Sequence, residues 1–244
     1  MPYRLLSLDE VARYLHLTQA DLTRLVKEQA IPFERRGERF VFRKDEIDAW
    51  ASQRILGLAA RRLAEYHQQS TRGTKAILPR EAIMAELIRP QYIEPALTAK
   101  TMASALRGMV ALADQTGLLN DPRALLEGLG AREALCSTAL PGGLALLHPR
   151  VQQPYLFESS FIALGRALQE IHFGAPDGQP TDLFFLICSQ DDRVHLHTLA
   201  RVCLMAQKTD LLSRLRLAPD APSMHECLLA SEAEALQARR PHAP

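Results

Sequence analysis

The sequence is poor in the features that mark whole classes of protein. It has no long hydrophobic run: the longest, residues 183–188, is six residues, against the ~20 that a membrane span needs. Its first ten residues, MPYRLLSLDE, carry acids and no apolar core segment, so they do not read as a secretory signal. There are four cysteines in 244 residues. Cys136, Cys188, Cys203 and Cys227 fall at no spacing used by a metal site or redox motif, and they read as buried thiols of a reducing compartment. No C-x-x-C or H-x-x-x-H occurs, so no zinc site is expected, and no cofactor motif is present. Charge of one sign is lacking too, with 29 Lys+Arg against 28 Asp+Glu. These absences lead us to expect a cytoplasmic chain with no membrane association, no metal and no cofactor. What is present is ordinary for a globular protein, 47% hydrophobic and 23% charged, long enough for one large domain or two modest ones.

The charge is unevenly placed. Residues 1–75 hold 14 Lys+Arg and 10 Asp+Glu, leaving 15 and 18 for the remainder. A basic head on a mildly acidic body hints at nucleic-acid binding at the front. In the head, Ser7 and Glu10 form a capping box, and Thr18 with Asp21 opens a second helix about three residues after the first ends. That spacing is a helix-turn-helix. Leu22, Leu25 and Val26 face its core, so helical periodicity puts Gln19, Ala20, Thr23, Arg24 and Lys27 on the opposite face. Phe33, Phe40 and Phe42 flank a tight Arg36-Gly37 turn, which reads as a hairpin with Arg35, Arg36, Arg39 and Arg43 toward solvent. Lys44-Asp45-Glu46 then starts a helix carrying Ile47 and Trp50 inward.

This stretch, LLSLDEVARYLHLTQADLTRLVKEQAIPFERRGERFVFRKDEIDAW, resembles the excisionase-like helix-turn-helix domains, relatives of the MerR winged helix, over about 45 residues. The resemblance implies that the second helix enters the major groove of double-stranded DNA and the wing touches the backbone. Gln19, Thr23, Arg24 and Lys27 are then the candidates for base edges and phosphates, and Arg36 and Arg39 for phosphates. A solvated polar helix face, or a role in docking protein alone, is the alternative. Residues 51–66 keep helical composition with no partner inside so small a unit, so they are expected to pack on the second domain or to self-associate. A homodimer reading two half-sites would suit such a head. The polar run HQQSTRGTK and Leu78-Pro79 suggest a linker, giving domains at 1–66 and 80–244 with a linker at 67–79.

The body alternates helices with short apolar strands, which indicates an α/β layered fold. Helices are expected at 100–116, 122–129, 194–215 and 224–235, and strands at Tyr92-Ile93, 143–147, 157–164 and 183–188. His148 follows a strand, at the edge where α/β folds form ligand crevices. His195 and His197 lie at the start of the long helix, where free N–H groups favour anions. The segments AREALCSTALPGGLALLHPR, IHFGAPDGQPTDLFFLI and HLHTLARVCLMAQKTDLLSRLR resemble, in order and spacing, the enzyme IIA domain of the fructose/mannitol and nitrogen-regulatory phosphotransferase systems, most of all the nitrogen-regulatory branch.

That resemblance implies a mixed sheet flanked by helices. It implies also that His148 accepts a phosphoryl group from a small histidine phosphocarrier protein, with Arg132 and His195 in support. A neutral imidazole is a competent nucleophile near pH 7, and an arginine fork can hold phosphoryl oxygens. The chain departs from the family pattern at Leu147-His148-Pro149, where Pro-His-Gly is usual; a proline after the histidine removes one backbone N–H. It has Cys136 where glycine is typical and Pro141-Gly142 where Gly-Asn is usual. His172, His225 and His242 show no partner pattern, and His197 points to another helix face.

Together the two halves are expected to form a DNA-binding regulator with a IIA-like sensor, whose enzymatic activity is phosphoryl carriage at most. A phosphocarrier without a DNA role and a IIA-like interaction protein that never carries phosphate are the alternatives.

Overall fold

The computed structural model describes residues 4–74, 77–78, 80–149, 151 and 153–237. Pro79 and His242, singled out above, lie outside them.

The chain opens with strand β1 (Leu5–Ser7), helix α1 (Leu8–Tyr14) and helix α2 (Gln19–Lys27). The Ser7–Glu10 capping box is complete in both directions, and Thr18 Oγ1 accepts from Asp21 N to start α2. Strands β2 (Glu34–Arg36) and β3 (Arg39–Arg43) form the wing, with Gly37 at φ +63° in its turn. The order β1-β3-β2 makes it a three-stranded antiparallel sheet, since Leu5–Ser7 joins the outer edge of the hairpin that the sequence predicts. Arg43 is not the solvent position expected of it: half-buried, it pairs with Asp45 and Glu46 at the start of the next helix. That helix, α3 (Lys44–Leu56), buries Ile47 and half-buries Trp50, whose Nε1 donates to Ala30 O at 2.7 Å.

Gly57 ends α3, so residues 51–66 are not one helix. A separate helix, α4 (Ala60–Thr74), follows. Residues 67–74, assigned by their polar composition to a linker, are its last two turns, and His67, Ser70 and Thr74 are buried in them.

The body begins with α5 (Met84–Leu87), a 3-10 turn at Pro90–Tyr92 and strand β4 (Ile93–Leu97). Helices α6 (Met102–Gln115) and α7 (Pro122–Glu133) follow, each opened by a capping side chain, Thr101 and Asp121. Strands β5 (Ala139–Leu140), β6 (Leu144–Leu147), β7 (Phe161–Ile171) and β8 (Thr181–Cys188) complete a five-stranded sheet in the order β4-β7-β8-β6-β5. The β4/β7 and β6/β8 pairs are parallel, the other two antiparallel. The sheet is mixed and flanked by helices. All four residues of β6 are buried, as an apolar strand inside a covered sheet requires. Gly143 enters β6 at φ +82°, where a Cβ would fall 2.5 Å from Arg216 Nη2 and 2.9 Å from Asp182 Oδ1.

The strand expected at 157–164 starts later and runs longer: Phe157 forms only an isolated bridge with Leu119 after the 3-10 turn at Pro154–Leu156, and β7 begins at Phe161. The long helix expected at 194–215 is two helices, α8 (Asp192–Lys208) and α9 (Leu211–Leu217). Thr209 is extended between them, and its hydroxyl accepts from Leu211 N. Helix α10 (Ala221–Gln237) closes the fold. Cys188 and Cys203 are buried as expected, whereas Cys136 and Cys227 are half-exposed.

Candidate functional site

Strand β6 delivers His148 to the end of the sheet, α7 carries Arg132 in its last turn, and α8 carries His195 in its first. The three meet. Arg132 Nε donates to His148 Nε2 at 3.1 Å, and the His148 and His195 rings are 4.9 Å apart, centre to centre. His148 Nδ1 lies 2.9 Å from Leu146 O. A carbonyl only accepts, so Nδ1 carries the proton and Nε2 presents its lone pair to Arg132. Burial holds both imidazoles neutral: the pKa of His148 is well below its ordinary value, and that of His195 is lowered to about 3, with the Arg132 charge adding to each.

Two polar atoms in this centre have no hydrogen-bond partner among the described residues, Arg132 Nη2 and His195 Nδ1. The other Arg132 nitrogen, Nη1, donates to Cys136 O at 2.8 Å and reaches Cys136 Sγ at 3.3 Å. The cysteine that stands in place of a glycine is therefore a contact of the arginine and not a core thiol. The arrangement holds a neutral nucleophilic nitrogen, one guanidinium with a spare N–H, and a second imidazole, with no carboxylate of the described residues hydrogen-bonded to any of them.

Two expectations are corrected. The crevice is not open: Arg132, His148 and His195 are each 2% exposed. Nor is the start of α8 free to receive an anion, because Asp191 caps it, taking the N–H groups of Arg193 and Val194. Pro149 packs on α7, so close that a Cβ on Gly128 would lie 3.0 Å from Pro149 Cβ.

What closes the centre comes from the head. Ser52 of α3 places its Oγ 3.3 Å from His195 Nε2. Lys44, the first residue of α3, bridges Asp48 of its own helix and Asp192, the first residue of α8. Tyr14 donates to Asp48 at 2.7 Å. Burial opposes the Lys44 charge, but the two aspartates outweigh it and its pKa is raised. Further along α8, Ser70 Oγ of α4 lies 2.8 Å from His197 Nδ1, and Arg201 Nε donates to His67 Nε2 at 2.8 Å. None of Ser52, Lys44, Asp192 or His67 carries a sequence signal for this role; only pairing across more than 130 residues reveals them.

On the helix-turn-helix, Gln19, Ala20, Arg24 and Lys27 are exposed and Thr23 half-exposed, as the periodicity requires. Gln19 donates to Asp9, Thr23 to Gln19 O, and Arg24 pairs with Asp21. Arg36 and Arg39 are exposed on the wing, Arg36 paired with Glu34. Beside Arg24, Arg54 of α3 and Arg62 of α4 line a groove of about 280 Å³, two cations that the sequence reading does not place with the DNA face.

The model of the phosphoenolpyruvate-dependent sugar phosphotransferase system EIIA 2 domain matches residues 86–231, more than half of the chain. The chain belongs to this family. A helix-turn-helix domain model matches residues 5–55, so the EIIA type 2 domain is fused to a helix-turn-helix domain. A nitrogen regulatory protein of Bradyrhizobium diazoefficiens is 32% identical over 154 residues, 62% of this chain and 98% of that protein. One of Pseudomonas aeruginosa is 31% identical over 111 residues, 45% of this chain and 70% of that protein. Among solved structures, the nitrogen regulatory protein IIA-Ntr of Neisseria meningitidis superposes with a TM-score of 0.54 at 22% identity, covering 60% of this chain and 99% of that one. The Escherichia coli mannitol IIA does so with 0.51 at 17%, covering 58% and 98%. At those identities the likeness is one of fold. The EIIA type 2 fold is thus complete here, and no helix among the described residues is long and apolar enough to cross a membrane.

Proposed function

We propose that this chain is a DNA-binding transcriptional regulator whose EIIA-type domain accepts a phosphoryl group on His148 Nε2. The observation that carries the reading is the pairing of a neutral, lone-pair Nε2 with an arginine that keeps a spare N–H beside it. In the transfer, the P–N bond to a phosphohistidine of the donor breaks as the P–Nε2 bond forms, and the donor imidazole keeps the electron pair. His148 retains its Nδ1 proton, and Leu146 O stabilises the positive charge that develops on the ring. Arg132 shifts its N–H from Nε2 to the phosphoryl oxygens, which need neutralising in the loose transition state. His195 supplies a second hydrogen bond. A histidine phosphocarrier protein is the donor this chemistry fits.

The label from such a donor should be acid-labile and base-stable, as a phosphoramidate is, and His148→Ala should abolish it. Label that survives in His148→Ala would overturn the site. For DNA, Gln19, Thr23, Arg24 and Lys27 face the major groove and Arg36 and Arg39 the backbone. Arg24→Ala should then relax sequence preference by about 1–3 kcal/mol, and Arg39→Ala should weaken all sequences alike and lower the salt slope by about one. Binding unchanged in both variants would remove the groove assignment. A homodimer would place two heads on half-sites a helical turn apart. The 2% exposure of His148 favours one rival, a EIIA fold kept as an interaction platform; failure of any donor to label the parent would select it.

A further inference from the structure

The face of the EIIA-type domain that surrounds His148 is already taken, by the chain's own head. Helix α3 lies along the first turns of α8, with Ser52 on His195 and Lys44 on Asp192, while Leu58 O accepts from Gln207 Nε2 at the far end of α8. We propose that α3 and a phosphoryl group on His148 compete for this face, so that docking of the helix-turn-helix module and phosphorylation exclude one another. The proposal rests on the reading of His148 as the acceptor and adds a direction to it: the closed arrangement is the unphosphorylated one.

Charge is the first reason. A phosphoryl group brings about −1.5 to −2 at neutral pH. The closed centre offers one formal positive charge, Arg132, because both histidines are held neutral. The Lys44 charge also reaches His195, but Lys44 is held between two carboxylates, Asp48 and Asp192, which offset it. The helix dipole offers no relief, since Asp191 occupies the N–H groups at the start of α8. An unbalanced charge shut away from water costs several kcal/mol, and the structure relaxes by letting water in.

Access is the second reason. Transfer needs the donor phosphorus in line with the Nε2 lone pair, and that nitrogen is enclosed. One wall of the enclosure is removable. Ser52 touches His195 at 3.3 Å and is, among the described residues, the one hydrogen bond from α3 to the centre. The wall next to it is not removable, because α4 is held by His67 and Ser70 to Arg201 and His197. The break between the helices, residues 57–59, gives α3 and the head a place to turn about while α4 stays.

The test uses the full chain with a phosphoenolpyruvate-driven donor system and a histidine phosphocarrier. Lys44→Met removes the bridge between α3 and α8 without touching Arg132, His148 or His195. Asp192→Asn cuts the same bridge from the other side and leaves no pair of carboxylates facing each other, which covers the case in which the first variant folds poorly. Each should take label at least tenfold faster than the parent. In the labelled parent, amides of residues 44–58 should exchange hydrogen at least tenfold faster than in the unlabelled protein, with residues 60–74 unchanged. Equal labelling rates in parent and variants, with exchange of 44–58 unaltered by the label, would overturn the exclusion and leave His148 as the acceptor. No label on the parent or on either variant, from a donor that labels a nitrogen regulatory IIA protein, would remove the acceptor reading and the exclusion with it.

Discussion

Helix α8 carries two buried centres built from the same residue types, each with one arginine and two histidines, and they are finished differently. In the one formed by Arg201, His67 and His197, every guanidinium nitrogen is used. Nε serves His67, Nη1 pairs with Glu232 Oε1 at 2.5 Å, and Nη2 donates to Glu81 O. Glu232 in turn accepts from Ile83 N and Met84 N. Its charges cancel. In the centre formed by Arg132, His148 and His195, no carboxylate among the described residues takes part, and among them one guanidinium nitrogen and one ring nitrogen have no partner. Leaving a buried donor unmade costs about 1–3 kcal/mol. A protein that spends its hydrogen bonds fully at one end of a helix and withholds them at the other has separated a clasp from a receptor. The clasp joins α4 to the body, and the other centre keeps the spare donor that the proposed phosphoryl acceptor needs.

The largest expected effect breaks the clasp. Arg201→Ala strands the Glu232 carboxylate in the core, and loss of one partner of a buried ion pair costs about 3–5 kcal/mol, to be read as a shift in urea denaturation. Parent-like stability would erase the contrast. Next comes the receptor. Arg132→Ala should slow phosphoryl transfer by 10²–10³, equivalent to about 2.7–4 kcal/mol of barrier, while moving the urea midpoint far less than Arg201→Ala does. An equal loss of stability from both arginines would show that the two centres do one job.

The smallest effect is on pH. An unfolded histidine titrates near 6.5, whereas His195 in the fold titrates at about 3 and His148 well below the ordinary value. Between those limits the unfolded chain binds more protons. Stability should therefore be flat with respect to these groups above about pH 6.5 and fall as pH drops below it, by about 1.4 kcal/mol per pH unit for each histidine. His195→Gln should remove one such increment from the slope of stability between pH 6 and pH 5; an unchanged slope would mean that the ring is not held neutral.

The receptor was legible in the sequence and the clasp was not. The four apolar residues before His148 are a local pattern, and so are the Ser7–Glu10 and Thr18–Asp21 caps, whereas Arg132 and the supporting role of His195 follow only from the resemblance to the IIA family. His67, Ser70 and Thr74 sit among polar neighbours, and a polar residue buried against one partner looks, in sequence, like one that faces water. Only the partner tells them apart, and Arg201 is 134 residues away. The same blindness hid Ser52 and Lys44, and it turned the end of α4 into a linker. The division of 194–215 was missed for a smaller reason: the hydroxyl of Thr209 and its extended backbone end a helix that composition alone would continue.

The bridge from Lys44 to Asp192 spans 148 residues of chain. Ribosomes add about 5–20 residues per second, so α3 is made roughly 7–30 s before the helix it will lean on. During that interval the helix-turn-helix, with its own sheet and core, has α4 beside it, with His16 against Tyr66, but not α8. Each new molecule thus passes through a nascent stage in which Lys44 and Ser52 have no α8 to meet, and the face around His148 closes only after α8 has been made.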